Sequence, residues 1–166
     1  MVSFIRTVLP TVAVVVAQAA LAQAGAPVAV DGAWARATVQ GQHSSGAFMT
    51  LTASEPVTLV KVATPVAGIA ELHEMKMEGD VMRMRAVPEL QLVPRQPVQF
   101  KAGGYHLMLQ ELKAPLQPGT VIPLTLTFRT AKGEQRQLAV QVPVSATAPP
   151  EVGAATMHGM HDMHKP

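Results

Sequence analysis

The sequence predicts an all-β domain, either a sandwich or a barrel of short antiparallel strands. Fourteen prolines and twelve glycines divide the chain into short pieces. Many of these pieces are rich in Val, Leu and Thr and alternate apolar and polar residues with a period of two, as half-buried strands do. No long stretch repeats its apolar residues with the 3.6-residue period of an amphipathic helix.

The alternation predicts ten strands, at residues 28–31, 34–39, 45–52, 57–64, 69–77, 81–86, 98–100, 105–112, 121–130 and 135–144. Turn residues separate them, namely 78–80 (Glu-Gly-Asp), 117–119 (Gln-Pro-Gly) and 132–133 (Lys-Gly). In the strand at 121–130, Leu124, Leu126 and Phe128 alternate with polar residues. That strand is predicted to have one buried face and one wet face.

Residues 1–24 have the features of a secretory signal peptide. Arg6 precedes an apolar run at 8–21, and the small-residue site 22–24 (Ala-Gln-Ala) places cleavage after Ala24. A membrane anchor is the weaker interpretation, because Pro10 and Gln18 interrupt a run that falls short of the roughly 20 apolar residues of a span. We expect a periplasmic domain at 25–144, without stable membrane insertion after cleavage, and a disordered, flexible tail at 145–166.

Composition excludes several classes of function. The formal charge of +2 becomes +1 when Arg6 is removed with the signal (2 − 1 = 1), a balance that does not predict nucleic-acid binding. Without cysteine the chain has no disulfide, no thiolate zinc site and no blue-copper centre with a Cys ligand. The catalytic signatures G-x-S-x-G, H-E-x-x-H and the phosphate and dinucleotide loops are absent, which favours a binding protein over an enzyme.

The candidate site consists of two histidines and two methionines. His73 is followed by ten residues and Met84, then by twenty-one residues and the pair His106 and Met108. Residues two apart on a strand share a face, so His106 and Met108 point the same way, while Leu107 and Leu109 point to the other side. The Gly103–Gly104 pair before them allows a sharp backbone turn.

The hairpin between the strands at 69–77 and 81–86 brings the first two candidates together. If it turns on Glu78–Gly79, with residues 77 and 80 as the closing pair, His73 lies directly across from Met84. The strand that carries His106 lies either beside this hairpin or across the barrel mouth. Both arrangements complete a cage of two imidazoles and two thioethers.

The donor types predict the metal. Thioethers are soft, neutral ligands that select Cu(I), whereas Zn(II) prefers Cys, His and carboxylate. Met75 and Met82 share the site face, and we weigh packing behind the ligands first and an auxiliary ligand role second. Met49 is expected in the core, since Met fills gaps there, and His43 in an exposed loop.

The C-terminal segment is a second candidate for metal binding. Residues 146–150 have the composition of a linker. A short tract rich in His and Met follows, and such tracts are typical of metal binding. Three imidazoles suit Cu(II) and three thioethers suit Cu(I); the predicted ligands are Met157, His158, Met160, His161, Met163 and His164.

The spacing His73-x10-Met84-x21-His106-x-Met108 resembles the full copper motif of the periplasmic copper chaperones called PCu(A)C. The flanking segments 33–37, 46–51, 71–74 and 104–109 are similar too, and the likeness runs from about 28 to 144. It implies a cupredoxin-like β-sandwich or barrel that binds one Cu(I) through these four residues. It also implies delivery to the dinuclear copper centre of apo cytochrome c oxidase, alongside a Sco-type thiol protein, with a tail that takes additional copper, including Cu(II).

Two other functions are alternatives to the chaperone. One is a periplasmic copper buffer or resistance protein without a dedicated client. The other is an electron-transfer cupredoxin, which the absence of a thiolate ligand disfavours. We expect a monomer, with a copper-linked dimer as the alternative.

Overall fold

The computed structural model describes residues 26–149, and this part of the chain is all-β, as predicted. The predicted signal peptide at 1–24 and the predicted ligands at 157–164 lie outside the described residues. Between residues 26 and 149 no helix has the length and apolar character needed to cross a membrane. The strands are β1 Val28–Arg36, β2 Ser44–Ala53, β3 Val57–Ala63, β4 Ala67–Glu78, β5 Val81–Ala86, β6 Leu90–Leu92, β7 Val98–Phe100, β8 Tyr105–Leu112, β9 Val121–Thr130 and β10 Gln135–Ser145.

The strands are hydrogen-bonded in the order β5-β4-β8-β7-β2-β1-β10-β9-β3-β6. Most neighbours are antiparallel. The first half of the sheet contains β5, β4, β8, β7, β2 and β1, the second contains β10, β9, β3 and β6, and the two halves join where β1 runs parallel to β10. One apolar cluster holds residues of both halves, including Leu72 and Leu107 from the first and Leu126 and Phe128 from the second. Strands β4 and β8 therefore bury one face in the core, and the side chains that alternate with it lie on the outer face.

The first two predicted strands are one strand in the structure. Gly32 has a φ of +59°, and the register between β1 and β2 shifts between Asp31 and Trp34. The prediction of a break was wrong because glycine accommodates a bulge without ending the pairing. Strand β6 was missed, because a strand of three residues that lies between Pro88 and Pro94 is too short to show a clear alternation.

The predicted faces of β9 are confirmed on the apolar side, where Leu124, Leu126 and Phe128 are buried. The polar side differs at Thr127, which is buried rather than wet. β9 lies between β10 and β3, and Thr127 stands directly between Gln137 and Lys61. Two longer side chains on the same face therefore flank the short threonine.

Candidate metal site

The four predicted core ligands share the outer face of the strands β5, β4 and β8. β4 lies between the other two and is antiparallel to both. His73 stands directly opposite His106 on β8, and Glu71 stands opposite Met108. Directly opposite residues project from the same face. Of the two arrangements left open by the sequence, the structure has the His106 strand beside the hairpin.

The predicted hairpin register was wrong by two residues. The closing pair is Glu78 and Val81, so His73 lies opposite Ala86 and not opposite Met84. Gly79, with a φ of +63°, occupies the first central position of a two-residue turn, as a type II′ turn requires. A shift of two residues preserves the face, so Met84 remains a diagonal neighbour of His73.

Ion pairs support the observed register. The Glu78 carboxylate accepts a hydrogen bond from Arg85 and pairs with Nε of Arg83 at 3.2 Å. These side chains lie on the face of the hairpin opposite to the methionines, because they alternate with them along the strands. The thioether face of the hairpin is therefore free of these charges.

The two imidazoles are each oriented by one hydrogen bond. His73 Nε2 lies 3.1 Å from Glu71 Oε2, and His106 Nδ1 lies 3.1 Å from the Gly104 carbonyl oxygen. A carboxylate and a carbonyl only accept, so in each neutral ring this nitrogen carries the hydrogen. The lone pairs therefore lie on His73 Nδ1 and His106 Nε2. Metal-ligating histidines are held in this way by carboxylates and backbone carbonyls.

The buried position of His73 Nδ1, without a hydrogen-bond partner, points most directly to a bound ligand. This atom is the buried side-chain nitrogen or oxygen between residues 26 and 149 that has no hydrogen-bond partner. Both His73 and His106 are only 8% exposed. Leaving a buried acceptor unsatisfied costs free energy, and native proteins avoid it unless the atom has another partner.

The spacing of the two rings fits one shared ion. Their centroids are 6.0 Å apart and their planes are inclined at 60°. An ion about 2.0 Å from a ligating nitrogen lies roughly 3.2 Å from the centroid of that ring. Two rings around one ion are therefore separated by at most about 6.4 Å.

The thioethers complete the donor set on the exposed side. Met108 is half-buried, and Met84 is 47% exposed at the edge of the sheet. In the part of the chain that the structure describes, no group of three or more His, Cys, Asp or Glu residues is placed to hold a metal. The other candidate donors on this face include the thioethers of Met84 and Met108, and thioethers favour a soft ion.

The other methionines and histidine separate clearly. Met49 is 2% exposed and His43 is exposed, as predicted for a core residue and a loop residue. Met75 stands directly opposite Met84, and it is half-buried. Met82, whose role the sequence left open, is 45% exposed, so packing does not account for it.

An aromatic pair borders the Met108 side of the site. Phe48 and Trp34 are opposite one another, with ring centroids 4.8 Å apart. The Phe48 ring lies over Gly46, where an added Cβ would be 2.9 Å from Cζ. Gly46 is the strand partner of Met108. Sequence reasoning missed this wall, although Phe48 lies two residues from Gly46 and thus shares its face.

The reverse face of the site is anchored in the core. Leu107 and Leu109, which alternate with His106 and Met108, are fully buried. Tyr105 packs on Phe100 at 6.2 Å. Burial raises the pKa of the Tyr105 phenol, and the neighbouring Glu74 carboxylate raises it further. The ligands therefore stand on strands whose other side is fixed by packing.

Comparison with known proteins identifies the family. The family model described as "Putative lipoprotein LpqE-like" matches residues 28–144. The chain belongs to the LpqE-like family. A relative, "Putative lipoprotein Lxx21020" of Leifsonia xyli subsp. xyli (strain CTCB07), is 29% identical over 116 residues, 69% of this chain and 69% of the relative.

Solved structures share the fold. The copper-bound PCuAC domain from PmoF2 superimposes with a TM-score of 0.60 at 20% identity, over 75% of this chain and 97% of that domain. Apo-DR1885 from Deinococcus radiodurans has a TM-score of 0.56 at 30% identity, over 89% of this chain and 97% of that one. The Cu(I) form of DR1885 has a TM-score of 0.58 at 35% identity, over 78% and 85%. The predicted cupredoxin-like fold is confirmed.

Proposed function

We propose that this protein is a periplasmic copper metallochaperone whose cargo is a single Cu(I) ion. The ion is held by His73 Nδ1, His106 Nε2 and the thioethers of Met84 and Met108. The observation that carries the proposal is the histidine pair, with 6.0 Å between ring centroids and a buried, unpartnered Nδ1 on His73. Two neutral imidazoles and two thioethers bind Cu(I) without releasing a proton.

The exposure of the ligands suits a site that gives up its cargo. The histidines are 8% exposed and firmly oriented, whereas Met84 is 47% exposed. An incoming ligand from a client displaces the exposed thioether first, while both imidazoles still hold the ion. A thioether also binds Cu(I) without the negative charge of a thiolate, so exchange is easier.

The relatives support copper as the cargo. DR1885, which is 35% identical to this chain, has a structure described as its Cu(I) form. We propose delivery to the dinuclear copper centre of apo cytochrome c oxidase, with a Sco-type thiol protein as a second partner. The family description as lipoproteins is consistent with export, and the signal peptide proposed at 1–24 makes the periplasm the compartment.

The tail is proposed to bind additional copper, including Cu(II). Its three imidazoles suit Cu(II), and its thioethers suit Cu(I). These ligands are the methionines and histidines of residues 157–164. They would collect copper and raise its concentration near the core site.

The test is metal analysis with X-ray absorption on the mature chain and on a chain that ends at Pro149. The shorter chain retains every described strand. We expect it to hold the first equivalent of added Cu(I) with mixed nitrogen and sulfur scattering. His106→Ala or Met84→Leu should remove most of the copper that shows nitrogen scattering without unfolding the domain, because neither side chain contributes to the apolar core cluster. If copper is lost with the tail alone, the core site is refuted.

A copper buffer without a client is the second candidate. It is distinguished by offering the copper-loaded protein an apo copper-centre domain of the oxidase and, separately, a small chelator of equal affinity. Faster transfer to the protein acceptor supports the chaperone. Equal rates to both acceptors support the buffer.

A further inference from the structure

The tip of the β4–β5 hairpin extends beyond its neighbouring strand. The pairing of β4 with β8 ends at Glu74 and Tyr105. One further hydrogen bond runs from the Met75 amide to the Gly104 carbonyl, so the hairpin is a two-stranded ribbon from Lys76 to Arg83. Four methionines share one face of the hairpin at and beyond this point, and we define them as the thioether ladder: Met75, Met77, Met82 and Met84.

The ladder has two rungs of directly opposed sulfur side chains. Met75 faces Met84, and Met77 faces Met82. The amide of Val87 donates to the Leu72 carbonyl, which makes 72 and 87 a hydrogen-bonded pair. Alternation then makes both methionine rungs non-hydrogen-bonded pairs, whose side chains stand closest, with Cβ atoms about 4.5 to 5.5 Å apart.

The rungs lead from the turn to the histidine pair. Met77 and Met82 adjoin the turn, Met75 and Met84 come next, and His73 with His106 follow. Each step of two residues along a strand is about 7 Å. The outermost rung is therefore about 14 Å from the histidine rung, too far to share its ion.

Packing does not explain the ladder. Met77 is 58% exposed and Met82 is 45% exposed, whereas the core residue Met49 is 2% exposed. Methionine usually fills gaps in a core, and the outer rung has no core to fill. Lys76, Glu78, Arg83 and Arg85 alternate with the methionines along the two strands and therefore lie on the other face of the ribbon, while Asp80 lies in the turn next to the outer rung. Neutral, soft sulfur donors select a soft monovalent ion such as Cu(I).

We propose that Met75, Met77 and Met82 form a second Cu(I) site of thioethers alone, with Met84 between this site and the histidine pair. This inference rests on the proposed function and adds the route by which the cargo enters and leaves. Transfer into the histidine site is stepwise ligand exchange with Met84 retained: the copper–sulfur bonds to Met75, Met77 and Met82 break as bonds to His73 Nδ1, His106 Nε2 and the Met108 sulfur form. Copper stays Cu(I) throughout, and no proton or electron is exchanged.

The experiment follows the methionine methyl groups of the full chain by NMR. The protein is labelled with 13C at the methionine methyls, each resonance is assigned by substitution, and Cu(I) is added without oxygen. Cu(I) is added until the methyl resonances of Met157, Met160 and Met163 stop shifting. Competition from the tail for copper then cannot hide a weaker site. We expect Met108 to shift with the first core equivalent and Met77 and Met82 to shift with a further one.

Substitutions separate the two sites. M77L/M82L preserves size and should remove one Cu(I) per chain while the Met108 shift persists. Met49→Leu is the matched control and should leave both events unchanged. In His106→Ala the outer rung should still respond.

The outcomes are distinguishable. If Met108 shifts and Met77 and Met82 do not, the second site is overturned and the proposed function stands. If Met108 does not shift, the core site fails. Shifts at Met77 and Met82 that persist in His106→Ala show that the outer site is independent of the histidine pair.

Discussion

In the proposed site, Glu71 holds His73 in the tautomer whose Nδ1 carries the lone pair, and Glu71→Gln tests this role. The variant has nearly the same size but loses the charge of the carboxylate. Glu71 Oε2 lies 3.1 Å from His73 Nε2. A neutral amide oxygen accepts a weaker hydrogen bond, since charge-assisted bonds are roughly twice as strong. The amide NH2 can also face the ring and favour the wrong tautomer.

The expected loss follows from the geometry. Removal of the group that orients a metal-binding histidine costs about 10- to 100-fold in affinity. The Glu71 side chain is 48% exposed, so water weakens its interaction with the ring. We therefore expect Glu71→Gln to weaken Cu(I) binding about tenfold, or about 1.4 kcal/mol. Glu71→Ala should weaken Cu(I) binding by an amount nearer the upper end of this 10- to 100-fold range.

The assay is anaerobic competition against a chromophoric Cu(I) chelator, with the chain that ends at Pro149. Glu74→Gln is the matched control, because it removes the same charge three residues away. Glu74 lies on the other face of β4 and interacts with Tyr105. The reasoning is refuted if Glu71→Gln binds Cu(I) like the wild type, or if Glu74→Gln loses as much affinity.

Three further predictions concern stability. Gly79→Ala should lower the free energy of unfolding by about 1 kcal/mol in urea, because φ is +63° with open space around the residue; no loss would contradict the turn. Gly46→Ala should cost about 1 to 3 kcal/mol, because its Cβ would press on the Phe48 ring; thermal melts check this, and Phe48→Leu in the same chain should restore part. The raised pKa of Tyr105 means that the unfolded state loses its phenol proton first. Stability is therefore full below about pH 10 and falls as pH rises through the raised pKa. Urea titrations at several pH values should show no such fall in Tyr105→Phe. The same dependence of the free energy of unfolding on pH in this variant and in the wild type would contradict the prediction.

The alternation of residues predicted the elements of the site well. His106 and Met108 were expected on one face with Leu107 and Leu109 on the other, and burial confirms this. The predicted register of the hairpin was wrong, because the sequence Glu-Gly-Asp allows two turns that differ by one position. The backbone chooses the turn with Gly79 at the residue of positive φ. That choice placed Met84 opposite Met75.

The sequence by itself determined which candidate donor atoms the chain offers and the face on which each lies, because strand periodicity and side-chain chemistry are local. It also excluded thiolate ligands, since the chain has no cysteine. Only the tertiary structure decided that His106 stands beside His73, that Glu71 and the Gly104 carbonyl orient the rings, and that the outer methionines are exposed. The pairing of His73 with His106 joins strands whose paired residues are more than thirty positions apart. Such pairing is set by the packing of the whole core and by the turn that each loop adopts.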